Sequence, residues 1–137
     1  MNSQWDTAGE VNYRSMAESF VMGSNGVALV FSLTEHESFV NCAGWITTIR
    51  RSVSEDIPVL LLGNKCDLPD KRAVSKEEID EFTAGNNVLY FETSALTGHN
   101  VNKAFEELIR RMLPQSTFAN EDSGKHEKQC KCKCTIL

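Results

Sequence analysis

Gly63-Asn64-Lys65-Cys66-Asp67-Leu68 follows an apolar run, Ile57 to Leu62, broken only by Pro58. That run reads as a strand buried on both faces, and Pro58 is tolerated at its start. A strand that leads into Asn-Lys-x-Asp sets an amide, an ammonium and a carboxylate at its carboxyl edge. In open α/β sheets that edge is where ligands bind. Asp67 can accept from two adjacent N–H donors at once, and Asn64 can donate to an acceptor on the other side of the same ring. The methylene stem of Lys65 can lie along a flat ring while its ammonium stays polar. Guanine carries such a donor pair. Adenine does not, and would leave Asp67 unpaired. By itself the tetrapeptide reads equally well as a polar loop after a buried strand.

Outward from this stretch, strands and helical patterns alternate, which predicts a mostly parallel sheet covered by helices. Upstream, Gly26 to Leu33 is a second continuous apolar run and a second strand. Thr34 and Glu37 have the spacing of a capping box before a helix with Phe39, Ala43, Ile46 and Arg50 on one line. Trp45 and Cys42 read as core, His36 as a solvated first-turn residue. Downstream, Ser75 and Glu78 form another capping box, for a short helix carrying Ile79 and Phe82 and ended by Gly85. Val88 to Phe91 is a strand. Asn100 reads as the cap of a last helix whose stripe is Val101, Ala104, Phe105, Leu108, Ile109 and Met112, stopped by Pro114. At the other end the chain opens in a strand at Gln4-Trp5, continues in a loop over Thr7 to Asn12, and reads as a short helix over Tyr13 to Met22.

Two more stretches bear on the edge motif: Asp6-Thr7-Ala8-Gly9 before it and Glu92-Thr93-Ser94-Ala95-Leu96 after it. In order and spacing the three resemble the Ras-superfamily small GTPases, over roughly Gln4 to Leu113. Trp5 before Asp6, and Tyr13-Arg14-Ser15 after it, look most like the Rab branch. The absence of a large insert between Asp67 and Ser94 sets the chain apart from the Rho branch.

The resemblance implies an α/β, P-loop NTPase-like three-layer fold with a mostly parallel sheet, incomplete at the N-terminus. Residues 1–113 would be a partial G domain, entered at the end of its third strand. It implies binding of GTP and GDP with Mg²⁺. Asn64, Lys65, Asp67, Ser94 and the Ala95 amide would hold the base, and the Gly9 amide would contact the terminal phosphate. Asp6 would hold Mg²⁺ through water, a sensible partner for a hard cation. The position that orients the attacking water is usually Gln in this family and is Glu10 here, a candidate catalytic residue that cannot donate as an amide does. Leu96 replaces the commoner Lys. Effectors and regulators would read the region from Gly9 to Met22.

The phosphate-cradling Gly-x-x-x-x-Gly-Lys-Ser/Thr loop occurs nowhere in the 137 residues. In the resembled topology its strand lies mid-sheet, between the strand ending at Trp5 and the one at Gly26 to Leu33. Its absence predicts two strands with unpaired edges, open to pairing with another chain.

Residues 114–137 are polar and read as a disordered tail. Cys134-Thr135-Ile136-Leu137 fits a prenylation box with a geranylgeranyl preference. One lipid anchors only marginally, so Cys132 is a candidate second acceptor. The rival reading is a metal-thiolate cluster of Cys130, Cys132 and Cys134 with His126, for which alternating Cys-x-Cys is poor zinc spacing. Three of the five cysteines crowd these last eight residues, which is not a disulfide framework and suggests a reducing compartment.

The net charge of −5, with 24% charged residues, argues against nucleic acid as a partner. No signal peptide or spanning segment is evident. Together these readings place the protein in the cytoplasm, at the cytosolic face of a membrane through a prenylated C-terminus. Two functions follow: a Rab-like trafficking switch that binds and hydrolyses GTP, or a non-catalytic, lipid-anchored interaction module that cannot turn nucleotide over.

Overall fold

The computed structural model describes residues 3–6, 18–19, 21–53, 57–113 and 133–137. Five strands form one parallel sheet: β1 (Ser3–Asp6), β2 (Gly26–Ser32), β3 (Val59–Asn64), β4 (Leu89–Glu92) and β5 (Lys133–Ile136), in the order β1-β5-β2-β3-β4. Because every pairing is parallel, all carboxyl ends lie along one edge. Among the described residues, the helices α1 (His36–Ser52), α2 (Lys76–Asn86) and α3 (Val101–Met112) cover the sheet.

Alternation along β2 divides the core in two. Val27, Leu29 and Phe31 face α1 and α2, joining Phe39, Trp45, Ile49 and Ile79. Ala28 faces α3 and joins Leu60, Ala104 and Leu108. Helices therefore lie on both faces, the expected three-layer arrangement. Aromatic rings tie one layer together: Phe39 stands 5.0 Å from Phe31 and 5.3 Å from Phe82, centroid to centroid, within the range of favourable tilted pairs.

Local expectations meet mixed outcomes. The Ser75–Glu78 capping box forms in both halves. The Thr34–Glu37 box does not. Glu35 is the N-cap residue of α1, Thr34 turns its hydroxyl to Ser32 at 2.9 Å, and Ser38 Oγ donates to the Glu35 carbonyl at 2.6 Å. Gly85 lies inside α2, which ends instead where Asn87 turns left-handed at φ 50°. Asn100 occupies the N-cap position of α3 but makes no side-chain cap. Its amide reaches back to the Glu92 carbonyl at 3.0 Å and ties α3 to β4. Burial of β2 on both faces fails at Val30, which is 38% exposed, because the α3 face is covered only over the strand's first half. Of the helix expected over Tyr13 to Met22, only Glu18, Ser19 and Val21 are described as helical.

The largest difference is at the end of the chain. The tail expected to be disordered finishes in β5, which fills the place between β1 and β2. Cys134 pairs with Gln4 on one side and Gly26 on the other, and Thr135 with Trp5 and Val27. The unpaired edges expected there are satisfied by the chain itself, since a row of free N–H and C=O groups inside a buried layer is costly and any apolar segment within reach can pair with it. Leu137, expected in solvent, is 5% exposed and packs in the α1 face of the core.

Candidate functional site at the carboxyl edge

β3 carries the edge motif to its position. Gly63 is the last residue before it, and a Cβ there would stand 2.7 Å from Tyr90 Oη and 3.1 Å from Leu33 Cδ2, so any larger residue would push these side chains aside beneath the site. Asn64 ends the strand. Lys65 then takes φ 68°, a left-handed conformation uncommon outside glycine, and the chain turns sharply so that Asp67 points back towards the β4 loop.

That loop meets it. Thr93 N–H donates to the Gly63 carbonyl at 2.8 Å, and Cys66 N–H to the Thr93 carbonyl at 3.1 Å. The Ser94 hydroxyl, fully buried, donates to Asp67 Oδ1 at 2.6 Å, and Thr97 N–H donates to Ser94 Oγ at 3.1 Å. The Ala95 amide donates to Asn64 Oδ1 at 3.0 Å. These bonds fix what each group has left to offer. With its oxygen turned to Ala95, Asn64 presents its NH₂ as a donor. With one oxygen held by Ser94, Asp67 keeps acceptor capacity for two more N–H groups. Lys65 lies across the same edge, its Nζ 3.0 Å from Glu35 Oε1.

The residues Asn64, Lys65, Asp67, Ser94 and Ala95 are thus brought together. Leu96, after them, is 84% exposed. Asp6 is the last residue of β1, in register with Ile136 of β5 and on the same sheet edge. Gly9 and Glu10 lie outside the described residues, as do Cys130 and Cys132. Cys134 is in β5, among the apolar residues under α3, and burial pushes its thiol up to about 11.

Sequence reasoning missed the layer beneath the site. Arg72 grips Glu92 with two nitrogens, at 3.1 and 2.7 Å, and Tyr90 Oη donates to the same carboxylate at 3.1 Å. The Arg72 bonds, above all, hold the Glu92 carboxyl below its ordinary range, while burial pushes the Tyr90 phenol up. This cluster pins the Pro69–Lys71 turn to β4. The available signal was Arg72 beside a turn, with Glu92 opening the second motif. Neither says which residue the other will meet. His36, expected to be solvated, is half-exposed but bonded to Glu78 at 2.9 Å.

A cavity of about 310 Å³ opens at the same edge, bounded by Ser32, Ser38, Trp45, Asn64 and Leu137. Among the described residues no group of His, Cys, Asp or Glu is placed to hold a metal ion, and no helix is long and apolar enough to cross a membrane.

Comparison with known proteins accords with this geometry. The Ras family model matches residues 3–114. Ras-related protein Rab-13 of Mesocricetus auratus is 38% identical over 124 residues, which are 90% of this chain and 60% of the relative. Rab-13 of Bos taurus is 38% identical over 112 residues, 82% of this chain and 55% of the relative. Rab-13 of Canis lupus familiaris matches to the same extent. The chain therefore spans 55–60% of the length of these curated relatives.

Proposed function

This chain belongs to the Ras family, in its Rab-type branch, and from that premise we propose that its carboxyl edge recognises the guanine base of GTP or GDP as part of a membrane-trafficking switch. The observation that carries the proposal is the pair of hydrogen bonds from Ser94 to Asp67 and from Ala95 to Asn64. They leave a carboxylate acceptor and an amide donor at one edge, the complement of guanine and the wrong partner for adenine.

The residues present fit the base. Guanine's N1–H and 2-amino group would meet Asp67, its ring acceptor would meet Asn64, and Lys65 would lie along its face. On the phosphate side Asp6, the last residue of β1, would hold Mg²⁺ through water, Gly9 would approach the terminal phosphate, and Glu10 would take the water-orienting position. The metal, when bound, neutralises phosphate charge. Effectors and regulators would meet the Gly9 to Met22 region. Cys134, with Cys132, would carry the lipid that holds the protein at the cytosolic face of a membrane.

One observation favours the second reading, a non-catalytic, lipid-anchored interaction module. Leu137 lines the cavity beside Asn64, so the chain's own residues stand where a larger ligand would extend from the base site. Saturation-transfer NMR with GDP and ADP tests the first reading at whatever affinity the chain has. Signal from the guanine ring protons, with none from adenine, is the expected outcome. Equal signals would sink the base assignment. Release of phosphate from GTP by the purified chain would exclude the second reading.

A further inference from the structure

The segment that reads as a lipid-acceptor box is also a strand of the central sheet, and the two roles need different structures. In the sheet, Cys134 lies opposite Gly26. The space over Gly26 is taken by Met112, whose Sδ would stand 2.8 Å from a Cβ placed there, with Leu108 next to it. Cys134 and Ile136 pack in this layer with Phe105. Leu137 lies on the opposite face, in the core under α1. Its N–H donates to the Ala28 carbonyl at 2.8 Å, and its own carbonyl accepts from Val30 N–H at 2.7 Å. A thiol so placed, partly buried in a packed layer, has no room beside it for an isoprenoid.

The strand nevertheless has the build of a detachable one. It is four residues long, against seven for β2. It pairs with β2 at three positions, Gly26, Val27 and Ala28, and with the equally short β1 at four, so it can leave without disturbing the six pairings of β2 with β3. Short, weakly anchored elements open well below the free energy of global unfolding.

We propose that Lys133–Leu137 is a displaceable plug in the sheet, withholding Cys134 from modification while docked and presenting it only when the strand leaves. Lipid transfer then selects the undocked state: the Cys134 sulfur bonds to the first carbon of a polyprenyl diphosphate, diphosphate departs with the C–O electron pair, and the thiol proton passes to solvent. The thioether cannot re-enter the space held by Met112, so modification leaves the slot between β1 and β2 open. This deepens the reading of Cys134 as a lipid acceptor and rests on it for its consequence, but its test uses no transferase.

The test is pulsed alkylation of the whole 137-residue chain with iodoacetamide, read by mass spectrometry after tryptic cleavage. Cleavage after Lys133 isolates Cys134–Leu137 from the peptide bearing Cys42, a thiol buried in the core that reports global opening. Rates in native buffer are compared with rates in denaturant. Cys134 should be protected at least about 10-fold, and by at least about 10-fold less than Cys42, as expected for a strand that opens locally. Cys134 reacting natively at its denatured rate would overturn the proposal by removing the docked strand, whether or not Cys42 stays protected. Cys134 protected as strongly as Cys42 would overturn it by showing that the strand leaves only when the whole molecule unfolds. Ile136→Glu supplies a second arm. It should abolish Cys134 protection and leave that of Cys42 within a few-fold, while equal loss at both thiols would also count against a separable plug.

Discussion

The two halves of the sheet are built on different terms. In β2-β3-β4 each strand pairs with its successor, joined by one helix, and the register is held by apolar faces packed on both sides. In β1-β5-β2 the central strand comes from the far end of the chain, 130 positions after its partner in β1 (Ser3 with Lys133). The first half is a product of local order along the chain, and it carries the edge for which base recognition is proposed. The second is a non-local closure, in which backbone pairing recruits whatever apolar segment is within reach. The proposed recognition edge sits on the half whose assembly costs least loop entropy, and the proposed detachable element sits on the other.

The largest break in this comparison should come from ending the chain at Cys132. That change removes Leu137's burial, about 1.5–3 kcal/mol, together with several backbone hydrogen bonds at about 0.5–1.5 kcal/mol each. A loss on the order of 5 kcal/mol would consume much of a typical domain's stability of ~5–15 kcal/mol. Urea unfolding should show a much lower midpoint. An unchanged midpoint would mean that β5 contributes nothing to the fold. In the other half, Gly63→Ala forces a methyl against Tyr90 and Leu33. Overpacking there should cost about 1–3 kcal/mol, with weakened guanine signal because Asn64 moves with the strand. Wild-type stability and binding together would show that the cluster under β3 yields freely.

The contrast also accounts for what could be read from the sequence. Buried strands are continuous apolar runs, and Gly26 to Leu33 and Ile57 to Leu62 fell within one or two residues of β2 and β3. The meeting of Asn64, Asp67 and Ser94 at one edge was legible because loops that start where strands stop hold them at fixed spacing. The caps were half legible. Ser75 and Glu78 met as their spacing suggests, whereas Thr34 and Asn100 found better partners in Ser32 and Glu92, which no local pattern encodes. The plug was illegible in kind. Cys134 to Leu137 looks like a modification signal, and only the gap between β1 and β2 turns it into a strand. The Arg72–Glu92–Tyr90 cluster was missed for the same reason, since Arg72 is 20 positions from Glu92 in sequence and meets it only through the fold.

Smaller effects sharpen the comparison within the edge itself. Ser94→Ala removes a buried donor from Asp67 and a buried acceptor from Thr97 N–H, a loss of about 1–3 kcal/mol. It should lower guanine signal more than it lowers the urea midpoint, and the reverse ratio would make Ser94 merely structural. The smallest effect concerns acid. Bonds from His36, and then from Ser75, hold the Glu78 carboxyl at about 2, against an ordinary 4.5. A depressed carboxylate stabilises the fold above the unfolded value and loses that contribution as pH falls through the folded one. Glu78→Gln should therefore flatten the decline of thermal midpoint between about pH 4.5 and 2, with little change near neutrality. A parallel acid limb in the mutant would exclude Glu78 as its source.

The measurement closest to the central claim is the base preference of Asp67→Asn, set against wild type by saturation-transfer NMR with guanosine and xanthosine diphosphates. The asparagine carbonyl can face N1–H while its amide donates to the xanthine 2-oxo group. The account predicts that preference moves from guanine to xanthine while Ser94 and Asn64 are left intact. Guanine held as well by the mutant as by the wild type would contradict it.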